Sequence, residues 1–389
     1  MAIEDLSGAL ATGPNDPDDG SVIRARRVEV FRWSVALGQR VTLLHGVEWR
    51  VDPGEHWAVM GPNGAGKTTL LNTVAGLLRP ADGTVRFNGA DITGAEPADL
   101  VRAGLALVPE HRRIFKDLTV EENLRLGGST LRLHQRVSRV YEMADLFPVL
   151  RAKWSTSAGF LSGGEAQQLA VARALMCDPK LLLLDEPLGA LDRKLREHTQ
   201  FELVNIQERV GTTFVMVTHD QEEAMTMASR LAVMNFGRIE QVSTPAGMYE
   251  YPASRFVAEF IGATNIFEGR IASQDEGEGT VRVYCDALGS EILARHADPI
   301  PVGTPVAVSV RPEKIDVHET RPEADNVAMG RVAEIAYLGD VSIYQVKTPA
   351  GAVIRVQETH IVRSSEPHYD WDDTLYLSWE AGSAVVLPT

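Results

Sequence analysis

Residues 56–78 read HWAVMGPNGAGKTTLLNTVAGLL, an apolar run followed by a glycine-rich turn and a stretch with helical character. The turn fits the pattern G-x-x-x-x-G-K-[ST] from Gly61 to Thr68, in the strand-to-helix context that a phosphate cradle requires. Glycines let the backbone curl so that successive N–H groups point at one anion, and the helix N-terminus adds a favourable dipole. The sequence therefore predicts a strand over 56–61, a phosphate loop, and a helix over 67–78.

The predicted loop supplies both charge and backbone donors. Lys67 is expected to bridge the β- and γ-phosphates of a nucleotide, and Thr68 to offer its hydroxyl to Mg²⁺. The remaining loop positions, which would surround the phosphates, are Gly61, Pro62, Asn63, Gly64, Ala65, Gly66 and Thr69.

Two further apolar runs, KLLLLDEP (180–187) and TTFVMVTH (212–219), are typical of strands covered on both faces. They bring Asp185, Glu186 and His219 to the edge of the sheet that carries the phosphate loop. Asp185 suits the Mg²⁺ shell, and Glu186 suits polarising the attacking water. His219 can donate to the γ-phosphate and hold that water. Taken singly, an acidic residue or a histidine at the end of a strand is more often part of a turn or a helix cap. The convergence of all three at one edge favours a catalytic role.

Alternating apolar strands and helical patterns from Val22 to about Phe236 indicate an α/β domain with a largely parallel sheet. One expected helix covers 196–210 and ends at Gly211. Its apolar side is predicted to contain Phe201, Leu203, Ile206 and Val210. Beyond Glu268, short alternating strands and turns predict a small all-β domain. The expected boundaries are a disordered acidic tail at 1–21, a nucleotide-binding domain at 22–250, a linker at 251–269 and the β domain at 270–389.

Composition narrows the function classes. Over 389 residues the formal net charge is −15, which disfavours nucleic acid or an anionic bilayer as the main partner. Cys177 and Cys285, the two cysteines, lack metal-ligand spacing and are expected to be structural thiols. The first twenty residues lack the basic and apolar regions of a secretory signal. No apolar run approaches the length of a membrane span, so a membrane role would need another anchor.

Residues 161–175, LSGGEAQQLAVARAL, place Ser162, Gly163 and Gly164 at the start of a predicted helix. A hydroxyl and free amides there can bind an anion, although a capped helix without a ligand has the same pattern. The set GPNGAGKTT, LSGGEAQQ, LLLLDEP, LGALD and THD, in this order, resembles the ATPases of ATP-binding cassette (ABC) transporters over roughly residues 22–250.

The resemblance implies an ABC cassette of the P-loop NTPase class, with a RecA-like core, an antiparallel β subdomain and a helical subdomain at about 112–160. It implies Mg-ATP sandwiched in a head-to-tail dimer, where Ser162–Glu165 of one copy caps the γ-phosphate held by the other. Asp192 of LGALD would touch the opposite phosphate loop. Glu110, where one branch of the family carries glutamine, would be a Mg²⁺-shell oxygen. Phe31 and Trp33 are candidates for stacking on adenine, or are core aromatics of a strand.

The resemblance divides between two branches. VSVRPEKIDV (308–317) and residues 331–356 look like the TOBE domain, a small OB-like β domain, of polyamine importer ATPases. Residues 107–128 and 147–154 are more similar to ATPases of branched-chain amino-acid importers. The implied partners are a second copy, the permease subunits of an importer and, indirectly, a solute-binding protein, with no nucleic acid. The implied location is peripheral, on the cytoplasmic face of the inner membrane. A non-hydrolysing regulatory subunit and a soluble cassette ATPase acting on ribosomes or DNA are the competing hypotheses.

Overall fold

The structure is a computed structural model, and it describes residues 19–34, 38–111, 113–189, 191–275, 277–360 and 368–388. The chain divides into two compact units, one up to Pro245 and one from Ala246 onward. The first contains two sheets and the helices that cover them. Its strands are β1 (Ile23–Ser34), β2 (Gln39–Val51), β3 (His56–Met60), β4 (Asp82–Phe87), β5 (Ala90–Asp91), β6 (Leu105–Val108), β7 (Leu181–Asp185), β8 (Thr213–Val217), β9 (Arg230–Asn235) and β10 (Arg238–Ser243). Its helices are α1 (Lys67–Val74), α2 (Pro97–Ala103), α3 (Val120–Gly127), α4 (Leu133–Leu146), α5 (Pro148–Ala152), α6 (Gly163–Leu175), α7 (Arg193–Val210) and α8 (Gln221–Met227).

The larger sheet has the order β10-β9-β3-β8-β7-β6. Its strands pair in parallel except β10, which pairs with β9 in antiparallel fashion. Strands β7 and β8 are buried along their whole length, as nearly continuous apolar runs in a sheet covered on both faces should be. This sheet is the predicted parallel core. Its carboxyl edge carries the candidate site.

The smaller sheet is antiparallel, with the order β2-β1-β4-β5. Buried residues of both sheets and of α1 form one apolar core, represented by Val28, Trp49, Val59, Leu70 and Leu183. The phosphate loop therefore starts from a rigid base, because the strand before it and the helix after it both contribute to this core.

Two helix predictions need correction. The helix expected over 67–78 ends at Val74, because Gly76 takes a left-handed φ of +71° and donates its N–H to Thr73. In α7, which does end at Gly211 with φ 67°, Phe201 is 63% exposed rather than on the apolar side. At 3.6 residues per turn Phe201 lies about 200° from Leu203. Thr199, Gln200 and Gln207 are buried instead.

The second unit is mainly β structure. Its helices are α9 (Pro245–Glu250), whose first residue closes the first unit, and α10 (Arg255–Phe260). Its strands are β11 (Asn265–Asp275), β12 (Thr280–Cys285), β13 (Ser290–Arg295), β14 (Pro305–Val310), β15 (Asp316–His318), β16 (Asn326–Tyr337), β17 (Val341–Lys347), β18 (Val353–Thr359), β19 (Thr374–Trp379) and β20 (Ala384–Pro388). They form two antiparallel sheets, β13-β12-β11-β14-β20 and β15-β19-β16-β17-β18, around a shared apolar core.

Arg311, directly after β14, connects the helices of this unit to its sheets. The guanidinium is buried, donates to the carbonyls of Ala258 and Tyr249, and lies 4.3 Å from the Tyr249 ring centroid. Burial lowers the pKa of Arg311, but carbonyl and ring contacts replace much of the lost hydration. The segment 251–269, which the sequence predicts as a linker, contains α10 and the start of β11.

Candidate functional site

The loop between β3 and α1 needs glycine at defined positions. Gly61, Gly64 and Gly66 have φ values of 151°, 83° and 102°, which side-chain-bearing residues rarely adopt. A Cβ on Gly61 would overlap with the carbonyl oxygen of Met234, and one on Gly66 would lie 2.9 Å from the carbonyl oxygen of Leu43. Neighbouring backbone thus presses directly against the loop and fixes the curl that presents its amides to an anion.

Lys67 is the first residue of α1 and is only 6% exposed. Its Nζ donates to the carbonyl oxygens of Gly61 at 2.8 Å and Pro62 at 3.2 Å. Burial lowers the pKa of Lys67, while the nearby carboxylates of Glu186 and Asp185 oppose that shift. A buried ammonium held against the backbone of the loop gives the loop a strong attraction for a polyanion.

Thr68 and Asp185 form the next layer. The Thr68 hydroxyl donates to Asp185 Oδ1 at 3.1 Å, although the two residues lie 117 positions apart in sequence. Asp185 is 7% exposed at the end of β7. Burial raises its pKa, the Thr68 hydrogen bond lowers it, and the charge of Glu110 raises it further.

These donors fit Mg²⁺, the metal that the sequence predicts. Mg²⁺ prefers one or two carboxylates, waters and the phosphates of its substrate to an all-protein cage. The described residues contain no group of three His, Cys, Asp or Glu side chains placed to hold a metal alone. Thr68, Asp185 and Glu110 could therefore hold Mg²⁺ only together with a bound phosphate.

Glu186 and His219 face each other across neighbouring strand ends. His219 Nδ1 lies 2.6 Å from Glu186 Oε2, and the backbone N–H of Glu186 donates to Val217 at 2.9 Å. The Glu186 side chain is 14% exposed and that of His219 is 58% exposed. Glu186 also has a φ of +47°, a conformation that costs about 1–3 kcal/mol and is concentrated at functional sites.

The predicted residues meet in one cleft of about 590 Å³. Residues 63–69, Glu110, Glu186 and His219 line it, whereas Gly61, Pro62 and Asp185 are not among its lining residues. The sequence did not predict four further lining residues, which are Arg32, Leu43, His111 and Gly189. His111 could have been found as the neighbour of Glu110, and Gly189 as part of LGALD.

The aromatic candidates for adenine stacking are not among these lining residues. On β1, Phe31 pairs with Thr42 and Trp33 with Arg40, while Arg32 lies between them. Because side chains alternate along a strand, Phe31 and Trp33 lie on the face opposite Arg32. Phe31 packs under the Arg40 guanidinium at 5.5 Å, and Trp33 is 62% exposed. Arg32 is the residue of this part of β1 that lines the cleft.

The LSGG segment begins α6 with a capping box. Ser162 Oγ accepts the Glu165 N–H at 3.4 Å, and Glu165 Oε2 accepts the Ser162 N–H at 2.8 Å. Lys153 forms an ion pair with Glu165 at 2.7 Å. Gly163 and Gly164 occupy the first turn, where amides have no partner within the helix. Among the described residues that line the cleft, none belongs to 162–165.

Asp192 is the N-cap of α7, and its carboxylate accepts the Leu195 N–H at 3.0 Å. Its predicted contact with the phosphate loop of a second copy stays a prediction. Cys177 and Cys285 are free thiols, and burial raises the pKa of both, that of Cys285 to about 11. No helix within the described ranges has the length and apolar character needed to cross a membrane.

A phosphate loop, a Thr–Asp pair and a Glu–His pair at the carboxyl edge of a parallel sheet define a nucleotide-hydrolysing cassette of the P-loop class. Comparison with known proteins identifies the family to which this cassette belongs. The family model for ABC transporters matches residues 44–189, and that for the TOBE domain matches residues 308–387. The chain belongs to the ABC transporter family, as an ATP-binding cassette followed by a TOBE domain, and this confirms the predicted fold class.

The putrescine transport ATP-binding protein PotG of Escherichia coli (strain K12) is 43% identical over 340 residues, which cover 86% of this chain and 88% of PotG. The spermidine/putrescine import ATP-binding protein PotA of Thermobifida fusca (strain YX) is 40% identical over 389 residues, 98% of this chain and 97% of that protein. The dimeric cassette MJ0796 bound to ADP and Pi is 27% identical, with a TM-score of 0.51, and the match covers 57% of this chain and 98% of MJ0796.

Proposed function

We propose that this chain is the ATP-hydrolysing subunit of an ABC importer for polyamines such as putrescine and spermidine. The observation that carries the ATPase part is the single cleft that unites Lys67, Thr68, Glu186 and His219. The relatives named for putrescine and spermidine support the polyamine part, because each aligns with more than four-fifths of both chains.

Each residue has a defined task in hydrolysis. Lys67 and the loop amides bind and orient the phosphates, and Glu186 takes the proton of the attacking water or orients it. The Glu186 contact occupies Nδ1 of His219, so Nε2 is the nitrogen left for the γ-phosphate. As an imidazolium His219 donates from both nitrogens. Mg²⁺, held by Thr68 and Asp185, would supply charge that stabilises the phosphate oxygens.

The active form is a head-to-tail pair of chains that dock on permease subunits at the cytoplasmic face of the membrane. Ser162–Glu165 lie outside the chain's own cleft, and this supports a role at the cleft of a second copy. The MJ0796 cassette is dimeric, and this supports the pairing of two copies. ATP binding closes the pair and hydrolysis opens it, so that the permease alternates its access. A solute-binding protein delivers substrate to the permease and does not contact this chain.

The test is uptake into proteoliposomes that contain the chain with candidate permease subunits and their binding protein. We expect ATP-dependent uptake of radiolabelled putrescine or spermidine and little uptake of leucine. The Glu186→Gln chain, reconstituted identically, controls for uptake without hydrolysis. Leucine uptake alone would overturn the polyamine assignment. Absence of phosphate release from an assembled, folded complex would instead support the non-hydrolysing regulatory subunit.

A further inference from the structure

Arg196 connects the loops that follow β7 and β8. Its Nη2 donates to the Leu191 carbonyl at 3.1 Å, and its Nη1 donates to Asp220 Oδ2 at 2.7 Å. Its Nε lies 3.5 Å from Glu223 Oε1. One side chain thus contacts the segment that leads from Glu186 into α7 and the turn that contains His219.

The position of Arg196 in its own helix does not explain these contacts. It lies near the start of α7, where the helix dipole disfavours a cation. Arg193 begins the same helix but is 83% exposed and pairs with Glu197 at 3.3 Å. The Arg196 side chain is 28% exposed, and its partners Asp220 and Glu223 are 19% and 1% exposed. The contacts of Arg196 therefore serve the junction between loops rather than the helix.

The contacts of Arg196 and its partners hold both sequence neighbours of His219, which are Thr218 and Asp220. Asp220 uses Oδ2 for Arg196 and Oδ1 for the N–H groups of Glu222 and Glu223, which it caps at 2.9 and 3.3 Å. The Thr218 hydroxyl accepts the Asp220 N–H at 3.0 Å and donates to Glu223 at 2.7 Å. His219 itself is largely exposed, so the direction of its side chain depends on how these flanking residues are fixed.

We propose that Arg196 is a positioning residue for ATP hydrolysis. It fixes the turn that holds His219 against Glu186, and it ties that turn to the segment ending at Asp192. The inference rests on the proposed function, because it assigns Arg196 a task in the same reaction. A guanidinium suits this task, since its planar set of donors can hydrogen-bond a carbonyl and a carboxylate at once while its charge lies beside the second carboxylate, that of Glu223.

The test compares Arg196→Met and Arg196→Lys with the matched control Arg193→Met, which removes the same charge from an exposed site. A displaced catalytic group costs up to about 100-fold in rate. We therefore expect Arg196→Met to lower kcat about 10- to 100-fold, with KM for ATP within about two-fold of wild type. Arg196→Lys should recover part of kcat, because it keeps charge and one contact. Arg193→Met should match the wild type.

The double variant Arg196→Met/Glu223→Gln separates positioning from charge balance. Removing Arg196 alone leaves the Glu223 carboxylate buried without its cation, so Arg196→Met can lose stability for that reason. Glutamine at 223 removes the charge and should restore Tm towards the wild type. If Arg196 is a positioning residue, kcat stays low while Tm recovers. Recovery of kcat together with Tm would overturn the inference.

The outcomes for the two proposals can be told apart. An active wild-type chain with an Arg196→Met variant of normal kcat overturns the inference and leaves the proposed function intact. A folded wild-type chain that releases no phosphate when assembled overturns the proposed function and the inference together. Equal losses in Arg193→Met and Arg196→Met also contradict the inference, since the effect would then follow net charge.

Discussion

Glu223 should make the stability of the cassette unit depend on pH. It lies in the first turn of α8 with its side chain 1% exposed, and burial raises its pKa from 4.5 to about 7. The Thr218 hydrogen bond and the Arg196 charge oppose that shift without cancelling it. A carboxyl with a raised pKa holds its proton more tightly in the folded chain than in the unfolded chain. Its stabilising contribution is complete below about pH 4.5 and is lost as the pH rises to about 7.

Glu223→Gln removes this titration while it keeps the size of the side chain and an acceptor for Thr218. The two pKa values correspond to about 3 kcal/mol in total, of which about 2.5 kcal/mol falls between pH 5 and 8. The free energy of unfolding of the variant, relative to wild type, should rise by that amount over this range. In a unit of this size the relative Tm should rise by about 5–10 °C.

Calorimetric scans at pH 5, 6, 7 and 8 measure this difference, and titrating groups that do not interact with Glu223 cancel between the two proteins. Glu222→Gln is the matched control, because Glu222 occupies the same helical turn but is exposed. Its stability curve should run parallel to that of the wild type. If the Glu223→Gln curve also ran parallel, within about 0.5 kcal/mol, burial of an ionised Glu223 would cost nothing and the reasoning would fail.

Three further predictions test the cleft. Glu186→Gln should lower ATP turnover about 100-fold or more and retain nucleotide binding, measured by phosphate release and fluorescent-nucleotide titration; normal turnover would exclude Glu186 as the base. Arg32→Ala should raise KM for ATP several-fold while Trp33→Ala leaves it unchanged, because of these two residues only Arg32 lines the cleft. The reverse result would indicate that the aromatic contacts the nucleotide. Gly61→Ala should lower Tm and abolish nucleotide binding, since the added Cβ would overlap with neighbouring backbone. A Cβ on Gly64 would have nothing within 4 Å, so Gly64→Ala should lower the free energy of unfolding by only about 1 kcal/mol, the cost of its positive φ.

The catalytic edge could be predicted from sequence because its positions follow from strand topology. Parallel strands end at one edge of a sheet, so residues directly after β7 and β8 must approach the loop after β3. This is why Thr68 and Asp185, 117 residues apart, form a hydrogen bond. The apolar runs marked these strands, and the glycine pattern marked the loop.

Side chains outside these motifs could not be placed in the same way. Arg32 lines the cleft because the pairing of β1 with β2 sets which face of β1 turns towards it, and no local pattern specifies that register. The partners of Arg196 lie 24 and 27 residues later in the chain, at Asp220 and Glu223. Charge in a helical turn is usually solvated, so composition gave no reason to single out Arg196 over Arg193.

Ser162 shows why a cap and a ligand site need not be alternatives. The cap uses a lone pair of the Ser162 oxygen to accept the Glu165 N–H, and the Ser162 hydroxyl also hydrogen-bonds to the Glu165 carboxylate. The amides of the first turn, at Gly163 and Gly164, lack partners within the helix. A single chain can therefore fold this helix end completely and still present donors to an anion. The two interpretations differ in where the ligand would lie. Because 162–165 lie outside the chain's own cleft, we expect those donors to serve a nucleotide that a second copy brings to them on its phosphate loop.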